Sequence, residues 1–369
     1  MMELYVFDIN LNPIGIIDDF KKCGIDLNYD KMSQMTLKVD GDSNNINLLQ
    51  KGRIVAKTDD LEHGYLILYR EYVDEKSSEL SITAPSINIL LARRVVLGQQ
   101  RYRGNIENVV KSFVTNNAIS PRNVNRIIPN LILGENVGID INTTAANTGD
   151  QLDDYLYTLC KKHDISWDIL LDVVNKNFVF TTWQGEDRST EQSINPHVIF
   201  SKDRENILKQ NYLESDLDYK STVIVAGEGE GAGRKIITVN DEYSGLDRYE
   251  LYVDARDLQT TSTNDNGEEV TITDKEYEIL LQERGLEKLP EYQKIVTFES
   301  DVDLYSNYVY GQDYFVGDKV SVINDELGII LHTRIISASE TYTKEGVSVD
   351  INFGSNIPNL VDKLKRAVK

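Results

Sequence analysis

The chain has 369 residues, a formal net charge of −21 at pH 7, 40% hydrophobic residues and 27% charged residues. That length exceeds one ordinary hydrophobic core and predicts two or three domains of ordinary globular composition. The charge argues against general nucleic-acid binding, which needs a basic face, and the two cysteines, Cys23 and Cys160, cannot form a disulfide framework.

No apolar run approaches the ~18 residues of a membrane span. The first residues, Met1-Met-Glu-Leu-Tyr-Val-Phe-Asp8, have no basic region ahead of an apolar stretch, so no signal peptide and no membrane anchor are expected. Residues 1–96 read as all-β. Leu4-Tyr-Val-Phe7 and Ile14-Gly-Ile-Ile17 flank Asn10-Leu-Asn-Pro13, which has hairpin turn chemistry. Met35, Leu37 and Val39 alternate with Thr36 and Lys38, the period of a half-buried strand. Further strands are expected over 53–57, 64–73 and 80–84, and many short strands suggest a barrel or a sandwich.

Residues 97–205 change period. Asn105 caps a predicted helix with Ile106, Val109, Val110, Phe113 and Val114 on one face. Thr148 and Gln151 predict a capping box for a second helix, with a stripe of Leu152, Tyr155, Leu156, Leu159 and Cys160. Asp153-Asp154 is expected on its solvated first turn. A hairpin of 166–172 and 177–183 closes this α+β unit.

Residues 206–357 return to strands. One strand is expected over 216–226, then a glycine cluster, then a strand over 234–239. A short strand over 249–254 and a polar loop tip at Asn264-Asp-Asn-Gly267 follow. Thr273 and Glu276 predict the capping box of a helix bearing Tyr277, Leu280 and Leu281, bounded or weakened by Gly285 and Pro290. This helical insertion covers about 240–292. Strands over 319–323 and 329–337, and the alternation of Val347, Val349, Ile351 and Phe353, end the domain. Residues 358–369 read as a short helix or tail.

The glycine cluster needs a chemical reading. Val223-Ile-Val-Ala leads into Gly227, Gly229, Gly231 and Gly233, a loose fit to a dinucleotide fingerprint. That fingerprint requires the glycines to open a helix facing a pyrophosphate. Here Arg234-Lys-Ile-Ile-Thr-Val239 reads as a strand, and Glu228 and Glu230 would oppose a phosphate. The expectation is a structural strand–loop–strand at Gly227, Gly229, Gly231, Gly233 and Arg234, with no cofactor.

Other chemistry is sparse. His63, His163, His197 and His332 show no metal-ligand spacing, so no metal site is expected. Cys160-Lys-Lys-His163 is better read as a core cysteine and a helix end than as a nucleophile pair. No Gly-x-Ser-x-Gly or His-Glu-x-x-His motif occurs, so no catalytic residue is assigned. Arg93-Arg94 interrupts an apolar run as a surface or interface anchor would. Asp318 after Gly317 suggests a turn at a strand entry. Trp167 and Trp183 read as core residues.

Several segments, in this order, resemble the siphovirus tail-protein family named after phage ReqiPepy. They are Glu3-Leu-Tyr-Val-Phe-Asp8 with Pro13-Ile-Gly-Ile-Ile-Asp18; Ile89-Leu-Leu-Ala-Arg-Arg-Val95 with Tyr102-Arg-Gly104; and Ala226-Gly-Glu-Gly-Glu-Gly231 with Arg234. Gly245-Leu-Asp-Arg-Tyr-Glu250, Val253-Asp-Ala-Arg256, Arg284-Gly-Leu-Glu-Lys-Leu289 and Tyr310-Gly-Gln-Asp-Tyr-Phe-Val-Gly-Asp318 complete the match. The resemblance implies a structural tail-tip or baseplate hub in a phage or prophage virion tail. It implies a mainly β fold with α+β insertions: two β-barrel-like hub domains, 1–96 and 206–357, with the α+β domain 97–205 between them. It also implies a homotrimeric ring that passes DNA. Its partners would be distal tail or tube proteins, the tape measure and a receptor-binding or lysin protein. Arg93, Arg94, Tyr310, Gly317 and Asp318 are then expected interface residues. A cell-wall hydrolase and a carbohydrate-binding adhesin remain as alternatives, the latter using Trp167, Trp183, Tyr305, Tyr308 or Tyr310.

Overall fold

The computed structural model describes residues 2–74, 77–263, 269–302 and 307–354. In the first third, strands β1 (Leu4–Phe7) and β2 (Pro13–Ile17) form the expected hairpin. Its turn is set by Asp8, whose carboxylate accepts the Asn10 and Asn12 amides at 2.9 Å each. Strands β3 (Lys22–Asn28) and β4 (Gln34–Asp40) follow, and β4 buries every second residue. Asp42 caps a short helix, α1 (Ser43–Leu48), by accepting the Asn45 amide at 2.9 Å. Next come β5 (Ile54–Lys57), β6 (Asp60–Leu66), β7 (Tyr69–Asp74) and β8 (Ser78–Pro85). The single strand expected over 64–73 is two. The chain leaves one sheet after Leu66 and joins another at Tyr69.

The middle third opens with a 3-10 helix, Ile87–Arg93, then β9 (Gln100–Asn105) and α2 (Ile106–Val114). Asn105 caps α2 as expected, and all five of its predicted apolar residues are buried. Strands β10 (Leu131–Leu133) and β11 (Asn142–Asn147) precede α3 (Leu152–Lys162), and β12 (Ser166–Asp172) and β13 (Asn177–Trp183) form the expected hairpin. The capping box at Thr148 and Gln151 does not form. Asn147 and Asp150 bond each other in a local turn, Gly149 sits at φ +90°, and α3 starts four residues later with Gln151 as an uncapped N-terminus. Asp153 is buried rather than solvated.

The last third contains β14 (Ile199–Phe200), β15 (Ile207–Ser215), β16 (Thr222–Ala226), β17 (Ile236–Val239), β18 (Glu250–Asp254), β19 (Thr261–Thr263) and β20 (Glu269–Thr271). Of the strand expected over 216–226 only β16 forms; residues 216–221 make the turn that separates it from β15, which lies in a different sheet. The predicted loop tip at 264–267 lies outside the described residues. Thr273 and Glu276 form the predicted capping box of α4 (Asp274–Lys288). Gly285 does not end α4 but lets it approach the sheet, since a Cβ there would lie 2.9 Å from Val225 and 3.0 Å from Val239. A 3-10 turn containing Pro290 terminates it. Strands β21 (Ile295–Val302), β22 (Lys319–Asn324), β23 (Ile329–Thr343) and β24 (Gly346–Gly354) follow. The predicted terminal helix lies outside the described residues.

The strands assemble into a large sheet whose main path is β15-β21-β24-β23-β3-β4-β8-β7, with β22 and β14 continuing beside β23. The β23–β3 pairing stitches the two β-rich thirds together, from Ser337↔Asn28 to Thr343↔Lys22. None of the sheets closes into a barrel among the described residues, so the two barrel-like units expected from the sequence are not closed within one chain. One core lies between the N-terminal half of the large sheet and the sheet β2-β1-β5-β6. The other face of that small sheet packs on α2, α3 and the β12–β13 hairpin. Two further cores lie under β21–β24 and between α4 and the sheet β17-β16-β18.

Candidate functional site

The large sheet has one polar and one apolar face. On β4, Gln34, Thr36, Lys38 and Asp40 face solvent while Met35, Leu37 and Val39 are buried. Cross-strand register carries the polar rows onward: Ser81, Lys38, Lys22 and Thr343 in one, and Asp26, Ser339 and Asp350 in another. Charges on this face pair across strands, Glu79 with Lys38 at 3.0 Å and Asp40 with Lys21 at 3.0 Å. Among the described residues the path ends in two strands that each pair on one side, β7 with β8 and β15 with β21. Such edges present unpaired backbone groups to any further strand. Tyr69, Tyr72 and Val73 on β7 and Leu208 on β15 are exposed apolar residues along these edges.

Gly317 and Asp318 lie where all three thirds of the chain meet. Gly317 has φ +92°, and a Cβ there would lie 2.5 Å from Trp183 and 2.9 Å from the Tyr29 ring. Those two rings meet edge to face, with centroids 4.9 Å apart. Asp318 is buried and accepts the Glu186 amide at 2.8 Å, Arg188 Nε at 3.0 Å and the Phe315 amide at 3.0 Å. Arg334 stacks over Tyr29 at 4.8 Å, donates to the Gly317 carbonyl and pairs with Asp164. The Tyr29 hydroxyl donates to the Asp164 carbonyl at 2.9 Å. The residues at this joint are therefore internal. Tyr310, half-buried, stacks edge to face on Tyr314 at 5.5 Å against the C-terminal core. Arg93 and Arg94 end the 3-10 helix of the middle third, far along the chain from these residues.

The glycine loop is a strand–loop–strand: β16 and β17 pair antiparallel from Val223↔Val239 to Ala226↔Ile236. Gly229 and Gly231 have φ +97° and +55°. A Cβ on Gly227 would lie 2.3 Å from the Tyr277 hydroxyl, which accepts the Glu228 amide at 2.7 Å. Arg234 folds back under the loop, donating to the carbonyls of Gly227 and Ala226 at 2.9 and 2.8 Å and to Asp254 at 2.5 Å. Arg256, with Arg234 beside it, holds the Asp254 carboxyl down at about 2. The Glu228 carboxylate is committed to Thr260, at 2.9 Å from its amide and 2.5 Å from its hydroxyl. The loop is thus filled by its own side chains. Replacing Arg234 with alanine should cost the loop about 1–3 kcal/mol locally, since charge-assisted hydrogen bonds are lost. Amide exchange at Gly227 and Lys235, which bond across the loop, should quicken roughly tenfold or more, and unchanged exchange would contradict the role.

Cys160 is buried in the core, where burial raises its thiol pKa far above the ordinary range. His163 caps the end of α3 and its Nε2 lies 2.9 Å from the Thr143 hydroxyl; burial lowers its pKa to about 4. Trp167 is fully buried against Tyr157 and Phe180. Among the described residues no group of three acidic, His or Cys side chains is placed to hold a metal ion.

Sequence reasoning missed several buried carboxylates, because burial of a charged residue leaves no periodic signal. Glu107, in the first turn of α2, accepts the amides of Val137, Gly138 and Ile139 at 2.8–2.9 Å and the Thr182 hydroxyl at 2.9 Å. Burial disfavours its charge, but these four donors outweigh it and hold the pKa below the usual value. Glu340 on β23 meets Lys57 of β5 at 3.4 Å and the Tyr342 hydroxyl at 2.6 Å. Arg284 of α4 grips Asp257 with two bonds of 3.0 and 2.9 Å and reaches the Ala146 carbonyl at 3.3 Å.

No helix among the described residues is long and apolar enough to cross a membrane. Residues 3–355 match the family described as Siphovirus ReqiPepy6 Gp37-like protein. No curated protein matches the chain. The fold is similar to prophage tail protein gp18 from Listeria monocytogenes EGD-e, at a TM-score of 0.56 and 13% identity over 99% of this chain and 98% of that one. It is similar to the 43 kDa tail protein of prophage MuSo2 from Shewanella oneidensis, at 0.58 and 13% over 95% and 98%. It is also similar to a tail protein from Neisseria meningitidis MC58, at 0.53 and 12% over 96% of each chain. At such identities the likeness is one of fold, and it runs the length of each chain. With the family match covering almost every residue, the chain belongs to the Siphovirus ReqiPepy6 Gp37-like family of phage tail proteins.

Proposed function

We propose that this protein is a structural hub of a virion tail: three copies close into a ring that joins the tail tube to the tip and passes DNA. The observation that carries this reading is the open path of eight strands, ended by β7 from one β-rich third and β15 from the other. Unpaired edges invite strand addition. Unlike edges on opposite ends favour a head-to-tail contact, which makes a closed ring when the rotation closes. Three copies of eight strands give 3 × 8 = 24, a barrel completed only between chains. In that reading the two β-rich thirds each supply half of a subunit's arc, with 97–205 and the insertion at 240–292 outside it.

The polar face would line the lumen. With three copies the ring carries 3 × −21 = −63 formal charges, and an acidic lining repels the DNA backbone and lets it slide. The apolar face stays on the subunit cores. The partners are other tail proteins at the two ends of the ring: distal tail or tube proteins, the tape measure and a receptor-binding or lysin protein. We assign it no enzymatic role: Cys23 and Cys160 are buried and His163 ends α3. A zymogram on host peptidoglycan checks this, with no clearing expected and clearing above a buffer control contradicting it.

Cysteine pairs test the ring contact. Single cysteines replacing Glu71 or Val73 on β7 are combined with one replacing Lys209, Asn211 or Leu213 on β15. Cys23 and Cys160 are buried and stay out of the reaction. A disulfide needs Cα atoms within about 7 Å. One register should give linked dimers and trimers on a non-reducing gel, and no linkage at any combination would overturn the β7–β15 contact.

A further inference from the structure

We propose that Arg93, Arg94 and Arg126 form a contact that seats carboxylates of a second copy of this chain. The inference rests on the ring reading and names a second contact within it. Arg188, Arg234, Arg248, Arg256, Arg284 and Arg334 each face a carboxylate within 4.0 Å. Among the described residues no such ion pair engages Arg93, Arg94 or Arg126, nor Arg53, Arg70, Arg101, Arg103 or Arg204, but of these only the first three are bonded to one another. Arg94 donates to the carbonyls of Arg126 and Arg93 at 2.6 and 2.9 Å, and Arg126 donates to the Val95 carbonyl at 2.5 Å. Two guanidinium groups are thereby held in place with their charge uncompensated. Burial, then the charges of Arg126 and Arg93, pull the Arg94 pKa below its ordinary value.

The surroundings suit a protein contact. Leu97, Val124 and Ile127 are 59%, 70% and 40% exposed beside the three arginines. Arginine among exposed apolar residues is the composition of interface centres. The cluster also ends the 3-10 helix that leaves β8 from the end lying beside the start of β7, one of the two open edges. Copies that each carry −21 repel one another. Their contact therefore needs cations not already neutralised, and this cluster supplies them. A polyphosphate would leave Leu97, Val124 and Ile127 uncovered, so a neighbouring copy is favoured over nucleic acid.

The test compares assembly of the full chain by sedimentation velocity. Arg93→Glu reverses an exposed charge of the cluster, and Lys202→Glu makes the same charge change at an exposed site elsewhere. Val124→Asp adds a variant that leaves the arginines intact, and circular dichroism checks that all three fold. Arg93→Glu and Val124→Asp should raise the concentration for half-assembly by about tenfold or more, and Lys202→Glu by less than about threefold. Equal effects of Arg93→Glu and Lys202→Glu, with the wild type still forming rings, would overturn this inference alone. A wild type that stays a single subunit would overturn the ring reading itself and the inference with it. Short duplex DNA bound by the wild type and lost by Arg93→Glu would make the cluster a phosphate site, and the contact proposal would fall.

Discussion

Replacing Gly317 with alanine is expected to lower the melting temperature on the order of 10 °C, from a loss of about 3–5 kcal/mol. Two costs add. The backbone sits at φ +92°, which a residue with a Cβ adopts only under strain, and the new Cβ would enter the Trp183–Tyr29 pair at 2.5 and 2.9 Å. The Tyr29 ring cannot retreat freely, since it is covered by the Arg334 guanidinium and tied to the Asp164 carbonyl. Gly185 makes the same point from the other side, because its Cβ would lie 1.9 Å from the Gly317 carbonyl oxygen. Gly233 is the control: a Cβ there meets nothing within 4 Å. Its alanine variant should stay within about 0.5 kcal/mol of the wild type. A Gly317→Ala protein that melts with the wild type would mean that the three thirds are not locked at this joint.

The second large effect is a pH dependence centred on Glu287. Its side chain is buried between α3 and α4, with the Tyr155 hydroxyl at 3.4 Å and Arg284 Nε at 3.9 Å. Burial pushes its carboxyl up to about 7, against the pull of Arg284 and Lys162. The raised value fixes the sign. The folded chain holds a proton that the unfolded chain releases near 4.5, so the stabilisation is complete below about 4.5 and is lost as pH rises to about 7. At 1.36 kcal/mol per pH unit that gap is worth at most about 3 kcal/mol. Glu287→Gln carries no proton to lose, and Arg284 keeps its bonds to Asp257. The variant should match the wild type near pH 4.5 and be more stable at pH 8, with most of the divergence between these values. The difference between the two denaturation curves isolates the group, because Glu107 and Asp254 have lowered pKa values and act in the opposite direction at acid pH. Parallel curves from pH 4.5 to pH 8 would show that Glu287 is charged and compensated in the fold.

Local pattern carried the elements whose neighbours are close in sequence. The alternation of β4, the Asn105 cap of α2, the capping box of α4 and the β12–β13 hairpin are each decided within a short local stretch, and each is present. Failures came where a distant partner decides. No Gly, Pro, Asn or Asp between Tyr65 and Val73 signals that the strand changes sheets after Leu66. The Thr148 box lost to the Asn147–Asp150 turn, whose bonds span Thr148 and move the helix start to Leu152. The pairing of β23 with β3, some three hundred residues apart in sequence, leaves no mark in either strand. The glycine loop was legible as a loop, because a strand rather than a helix follows it. The groups that hold Glu228 and Arg234 from outside it were not, since Tyr277, Thr260 and Asp254 lie in other parts of the chain.

Ring closure is tested most directly by electron microscopy of concentrated protein, with its mass measured by light scattering. Threefold rings with a central hole are expected, about three times the 41.9 kDa subunit in mass, with β7 of one copy beside β15 of the next. A twofold dimer, or a particle of one subunit at every concentration, would contradict this.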